Sequence, residues 1–195
     1  MNRADRVMIE KEIAKLEGEK LRRILRAGAM GNLGFGEWVD VEFSFFRKGQ
    51  EREKKIIPVP RLALHISDGF RITCGNEILM GRKDMFSPSE KIAGQDDFDW
   101  DTFDWDIQGN NRYDEFAAEK LGVNPEGFTV KKVTVNLLGD LNIEFENGFL
   151  LKTFTGSSGN VEAWRFFDYN AGEEVHHLEV CGQGLVEYDE EGMPL

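Results

Sequence analysis

The chain has 195 residues, 41% of them hydrophobic and 31% charged, and a net charge of −12. That length supports one domain with a full hydrophobic core, so neither disulfides nor a structural metal is required for stability. The acidity is uneven: residues 1–60 hold 13 Lys+Arg against 10 Asp+Glu, and residues 61–195 hold 11 against 26. An acidic body repels phosphate backbones, which argues against nucleic acid; the charge reads first as a device for solubility and, more sharply, as a surface for a basic protein partner. Two cysteines, Cys74 and Cys181, are too few for a secreted scaffold and fit a reducing, cytoplasmic setting. The charged N-terminus lacks an apolar signal core, and no run is long enough to span a bilayer.

Residues 5–27 read as an amphipathic helix, with Ile9, Ile13, Leu16 and Ile24 on one face and Gly18 as its weak point. The glycine-rich stretch 28–38 resembles a phosphate loop only in composition. It follows a helix and leads into a strand, the reverse of the order a phosphate loop needs, and is read as strand where backbones approach closely. Val39–Phe46 alternates as a half-buried strand, with Val39, Val41, Phe43 and Phe45 on one side. Residues 47–55 form a charged connection. Pro58 and Pro60 place the next segment at a sheet edge or in a connector.

Leu62–Thr73 is predicted to be a hairpin. A three-residue loop, Ser67-Asp68-Gly69 with a left-handed glycine, would set Leu64, Ile66, Phe70 and Ile72 on one buried face. His65 and Arg71 then point to the other face. A short strand is expected at Ile78–Met80. The run DDFDWDTFDWD, residues 96–106, has aspartates at calcium-loop spacing, but Thr102 stands where glycine is needed and Gln108 where the bidentate Glu is needed. It is read as an edge strand or a loop pinned by its aromatics. Asp97, Asp99, Trp100, Asp101, Phe103 and Trp105 are its candidate partner-binding residues, because aromatic anchors ringed by charge suit an interface.

Asn111–Leu121 is predicted to be a helix, capped by Asn111, with Asp114 at the third helical position, Tyr113 and Phe116 on its apolar stripe, Gly122 as its C-terminal cap and Pro125 as its stop. Strands follow at 128–138, where Val133, Val135 and Leu137 alternate, and at 141–145, 149–154, 161–167, 175–180 and 185–188. The second and third of these make a hairpin around Glu146-Asn147-Gly148, with Gly148 left-handed and Ile143, Phe145, Phe149 and Leu151 on one buried face. Residues 64–72 echo residues 143–151 at an offset of 79, which is open to a reading as a weak duplication.

Nothing in the chain matches a nucleophile elbow, HExxH or CxxC. His176 and His177, with Glu173, Glu174 and Glu179, form a local group of metal-capable residues, but adjacent strand histidines face opposite ways. No metal, cofactor or catalytic residue is assigned. A pocket between two β units would draw on His65, Arg71, Trp164 or Arg165.

The segments LALHISDGFRI, EILMGRKDMFSP, GNNRYDEF and GDLNIEFENGFLLKTFTGSS…EAWRFF occur in that order. They resemble a group of uncharacterised bacterial proteins that share an "LH-(short turn)-WR/FR-I" pair, an "NR-F/Y-D" segment and a "DL-x-I-x-F-x-NG…SS…E-x-WRFF" ending. Phe70 stands where that group often has tryptophan. Proteins with such endings are similar to small immunity proteins that bind and block a bacterial toxin, which implies binding without chemistry. The expected fold is a single α+β domain, mostly antiparallel β, built from two hairpin-based β units, an N-terminal helix and one central helix. Its halves would be 1–95 and 107–195, joined by 96–106.

Overall fold

A computed structural model describes residues 2–45, 53–123, 128–170 and 176–186, with the side chains of 3, 4, 121–123 and 176 left aside. The expectations for Phe46, residues 47–52, Pro125, Glu173, Glu174, Val175 and Tyr188 lie outside these residues.

The architecture is α+β, with two antiparallel sheets. One has six strands: β1 (Leu21–Ala27), β2 (Met30–Phe45), β3 (Glu53–Ile66), β9 (Glu162–Asp168), β10 (His176–Cys181) and β11 (Gly184–Leu185), in that spatial order. The other runs β5 (Glu77–Gly81), β4 (Gly69–Cys74), β8 (Phe149–Phe154), β7 (Leu141–Phe145) and β6 (Val130–Val135). Each sheet takes strands from both sides of the 96–106 run. A single buried cluster draws Leu33, Leu64, Ile66 and Phe166 from the first sheet and Ile72, Ile143, Phe145 and Leu151 from the second. Trp164 on β9 donates its indole N–H to the carbonyl of Gly139 in the β6–β7 turn at 2.8 Å, tying the sheets together.

Helix α1 (Arg3–Ile13) starts at Asn2, whose side chain accepts from the Asp5 amide, and buries Ile9 and Ile13. The helix is shorter than expected. A 3-10 turn, Ala14–Leu16, follows it, and the chain then turns through Gly18, which has a φ of 82°. Leu21 to Ala27 is strand, not helix. The helical spacing was mimicked by a bulge: the register shifts between Leu21 and Arg23, so Leu21 and Ile24, three residues apart, both face the core.

Strands β2 and β3 pair along their whole lengths, from Gly31↔Ile66 to Phe45↔Glu53. Pro58 and Pro60 fall in the half of β3 that β9 does not reach, since β9 pairs with Leu62 to Ile66. The expected hairpin over 62–73 is absent: β3 belongs to one sheet and β4 to the other. The chain crosses between them at Ser67-Asp68, whose amides both donate to the Ala163 carbonyl, while the Asp68 carboxylate accepts from the amides of Gly69 and Gly156. Gly69 is not left-handed. Leu64, Ile66, Phe70 and Ile72 are nevertheless all buried, because both sheets present them to one core.

The 143–151 hairpin does form, with Ile143 opposite Leu151 and Gly148 at a φ of 83°. Residues 64–72 therefore cross between sheets where 143–151 turn within one. Leu137 departs from the expected alternation and is exposed, because β6 stops at Val135 and an Asn136–Asp140 turn follows.

Helix α2 (Glu90–Ala93) precedes the acidic run. Helix α3 (Arg112–Val123) starts as expected, with the Asn111 side chain accepting from the Asp114 amide at 2.8 Å. It runs one residue past Gly122.

Candidate functional site

The acidic-aromatic run is a loop. Its two aspartate-started turns are local: Asp99 accepts from the Asp101 amide, and Asp104 from the Asp106 amide. These turns fold Phe98, Trp100 and Phe103 against one another edge-to-face, with centroids 5.3–5.9 Å apart. Trp100 is 64% exposed, Phe98 and Phe103 are half-buried, and Asp97, Asp99 and Asp101 are exposed around them. Trp105 behaves differently. It packs against Phe86 at 4.8 Å and under the Arg26 guanidinium at 5.7 Å, so it anchors the loop rather than joining the exposed trio.

The anchor is a buried ion pair. Arg26, at the end of β1, and Asp114, in the first turn of α3, have side chains 3% and 2% exposed. The Arg26 Nε lies 3.2 Å from both Asp114 oxygens, one Nη donates to Asp106 at 2.8 Å, and the other donates to the carbonyls of Trp105 and Asp106. Asp114 also accepts from the Gly109 amide and the Asn111 side chain, and Asn111 donates to the Trp105 carbonyl as well. Burial works against the Arg26 charge, but Asp114 and Asp106 more than offset it and hold the guanidinium above its ordinary pKa. Tyr113 completes the joint, donating to the Leu25 carbonyl, and burial pushes its phenol well up.

Sequence reasoning missed Arg26, because residues 21–27 were read as helix. Asp114 was seen only as a capping residue. In a strand reading, one arginine falling on the core-facing parity of β1 would have been the signal.

The four pocket candidates do not converge. Trp164 is fully buried between the sheets. Arg71 lies in the five-stranded sheet over the Phe154 ring, 4.9 Å from its centroid. His65 and Arg165 do come together, as cross-strand partners on the outer face of the six-stranded sheet. Arg165 pairs with Glu162, which also accepts from Ser67. Burial opposes the Glu162 charge, yet those two hydrogen bonds hold its pKa below the usual range. His65 rests on Phe167 at 4.8 Å. Burial, and then the nearby Arg165 and Arg23, push its pKa down to about 4, so the imidazole is neutral at neutral pH.

Two open hollows lie among the described residues. One, of about 260 Å³, lies between α3 and β5 and mixes Asp84, Glu90, Glu115 and Glu119 with Arg112 and Lys120. The other, of about 270 Å³, lies between the start of α1 and the β10–β11 turn, beside Asn160 and Cys181. Among the described residues, no three His, Cys, Asp or Glu side chains are grouped to hold a metal, and no helix is long and apolar enough to cross a membrane. Compared with known proteins, the chain matches no family model, no curated protein and no solved structure.

Proposed function

We propose that the protein is a non-enzymatic binding module, of immunity or regulatory type, that docks a basic protein partner on the 96–106 loop. The observation that carries this reading is the exposed Trp100, held edge-to-face by Phe98 and Phe103 and ringed by Asp97, Asp99 and Asp101. An aromatic cluster in a field of carboxylates offers a cation-π face and charge complementarity to Arg or Lys side chains. The Arg26–Asp114 pair supports the reading further, because it ties the end of the loop to the fold and lowers the ordering cost of docking. The resemblance to immunity-like bacterial proteins points the same way by analogy.

The test is affinity capture from the source organism with the wild-type chain, Trp100→Ala and the double variant Asp99→Asn/Asp101→Asn. A stoichiometric basic partner should be retained by wild type, released by added salt and lost with either variant. A partner retained equally by all three chains would refute the site.

The alternative, an enzyme or small-ligand protein with a pocket between the β units, has less to support it. The space between the sheets is filled by Trp164, Phe166, Phe145 and their neighbours.

A further inference from the structure

The outer face of the six-stranded sheet carries a polar group that the binding loop does not use. In register, Leu25, Asn32, His65, Arg165 and Glu179 form one cross-strand row. Arg23, Gly34, Ala63 and Phe167 form the next. Neighbouring strands lie about 4.8 Å apart, so Asn32 and His65 are side by side, and Arg23 is the diagonal neighbour of Asn32. Apolar groups wall them in. The Pro60 ring packs over Gly34, where an added Cβ would sit 2.6 Å from it, Phe167 lies against His65, and Trp38 lies against Arg23.

These polar groups are unmatched. The Asn32 Oδ1 and the Arg23 Nε are shut off from solvent and make no hydrogen bond. Among the described residues, no carboxylate pairs with Arg23, although Arg6, Arg26, Arg61 and Arg165 all have one. A desolvated donor beside a desolvated acceptor, both unpaired, costs stability unless something completes them. Arg165 is already balanced by Glu162 and Glu179, so the uncompensated charge is that of Arg23.

We propose that Arg23, Asn32 and His65 form a subsite for a small carboxylate that carries a hydrogen-bond donor beside the carboxyl group, such as a 2-hydroxy acid, with Trp38 and Phe167 contacting its apolar part. Arg23 takes the carboxylate by charge-assisted hydrogen bonds. Binding turns the Asn32 amide outward, so that its Oδ1, buried in the free protein, accepts from the adjacent hydroxyl. The neutral His65 imidazole flanks the pair without adding charge. This subsite is independent of the acidic-aromatic loop.

The experiment is a titration of the full-length, isotope-labelled protein with mandelate and with phenylacetate, which lacks the hydroxyl, followed by NMR at the Arg23 Nε–H, the Asn32 side-chain amide and the His65 ring. Mandelate should shift these signals saturably with a dissociation constant on the order of 1 mM, the range expected for a ligand of that size. Phenylacetate should bind about tenfold more weakly, and Asn32→Leu should reduce mandelate to the phenylacetate level. Arg23→Met should weaken both by at least about tenfold, with an unchanged far-ultraviolet spectrum as its folding control. Arg112→Met, in the α3–β5 hollow, should change neither titration. Absence of a saturable shift well above that concentration, or binding that survives Arg23→Met, would overturn the subsite. Equal binding of the two acids would overturn the role given to Asn32.

Discussion

Arg26→Met isolates the joint between the acidic-aromatic loop and the fold. The side chains of Arg26 and Asp114 are almost wholly buried, so removing the guanidinium leaves a carboxylate in a low-dielectric site. Losing one partner of a buried pair costs about 3–5 kcal/mol. Asp114 keeps the Gly109 amide and the Asn111 side chain, which places the loss near the lower end of that range. The Asp106 contact adds little, since that carboxylate is 62% exposed and such pairs are worth under about 1 kcal/mol. The expected destabilisation is therefore about 3 kcal/mol, read as a lower urea midpoint at an unchanged m value. Arg26→Met/Asp114→Leu should recover part of it, because the orphaned charge is gone. The near-ultraviolet signal of Trp105 should collapse in the single variant, since the tryptophan loses the cation above its ring and the fixed carbonyl beside it. A single-variant loss below about 1 kcal/mol, or a double variant no better than the single, would refute the buried-pair reading.

Two further outcomes follow from individual residues. A Cβ on Gly182 would overlap the Ser157 carbonyl oxygen, a backbone atom that cannot rotate away, so Gly182→Ala should cost about 3 kcal/mol or more in thermal unfolding. Gly159→Ala, whose Cβ would meet nothing closer than 3.8 Å, should stay within about 0.5 kcal/mol, and equal effects would refute the close approach. His65 gives a pH signature. Its folded pKa is depressed to about 4, against about 6.5 unfolded. Above pH 6.5 both states are neutral and nothing changes. As pH falls from 6.5 towards 4 the unfolded chain binds the proton first, so stability falls across that window. After discounting for the partial exposure of the ring, the total is about 2 kcal/mol. The difference in unfolding free energy between wild type and His65→Gln, read from urea titrations, should change by that amount between pH 7 and pH 4, and a constant difference would refute the burial of His65.

The parts of the fold that were legible were those where local chemistry decides the outcome. Asn111 with Asp114 marked the start of α3, and Asn147-Gly148 marked the β7–β8 turn. The parts that were not legible depended on partners distant in sequence. The alternation of Leu64, Ile66, Phe70 and Ile72 correctly gave a shared buried face, but two facing sheets bury such a face as well as a hairpin does. What sends Asp68-Gly69 across the core is the Ala163 carbonyl and the Gly156 amide, about 90 residues away in the chain. The bulge at Arg22 hid β1, because it gives a strand helical spacing for three residues. The 96–106 run takes the loop form, one of the two that its sequence left open, whereas its anchor and the division between Trp100 and Trp105 depended on β1 and on Phe86.

Arg23 and Arg26 stand three residues apart on β1, on opposite faces of the sheet, and their contrast separates scaffold from site. The Arg26 guanidinium is matched on all sides by Asp114, Asp106 and two carbonyls. Arg23 is also desolvated, and burial lowers its pKa, but its neighbours are the Trp38 ring 5.8 Å away, worth about 0.5–1 kcal/mol, and the Tyr169 phenol, which burial holds protonated and so supplies no countercharge. A matched buried charge stabilises relative to its own truncation, whereas an unmatched one carries a desolvation cost of about 1–3 kcal/mol that truncation removes. Arg23→Met should therefore leave the free protein as stable as wild type, or up to about 1 kcal/mol more stable, where Arg26→Met costs about 3. Urea unfolding of the two variants side by side decides it. A loss at Arg23→Met comparable to that at Arg26→Met would show that Arg23 is already satisfied in the free protein, and the carboxylate subsite would lose its physical basis. Stability gained by removing a charged group is the mark of a group retained for binding.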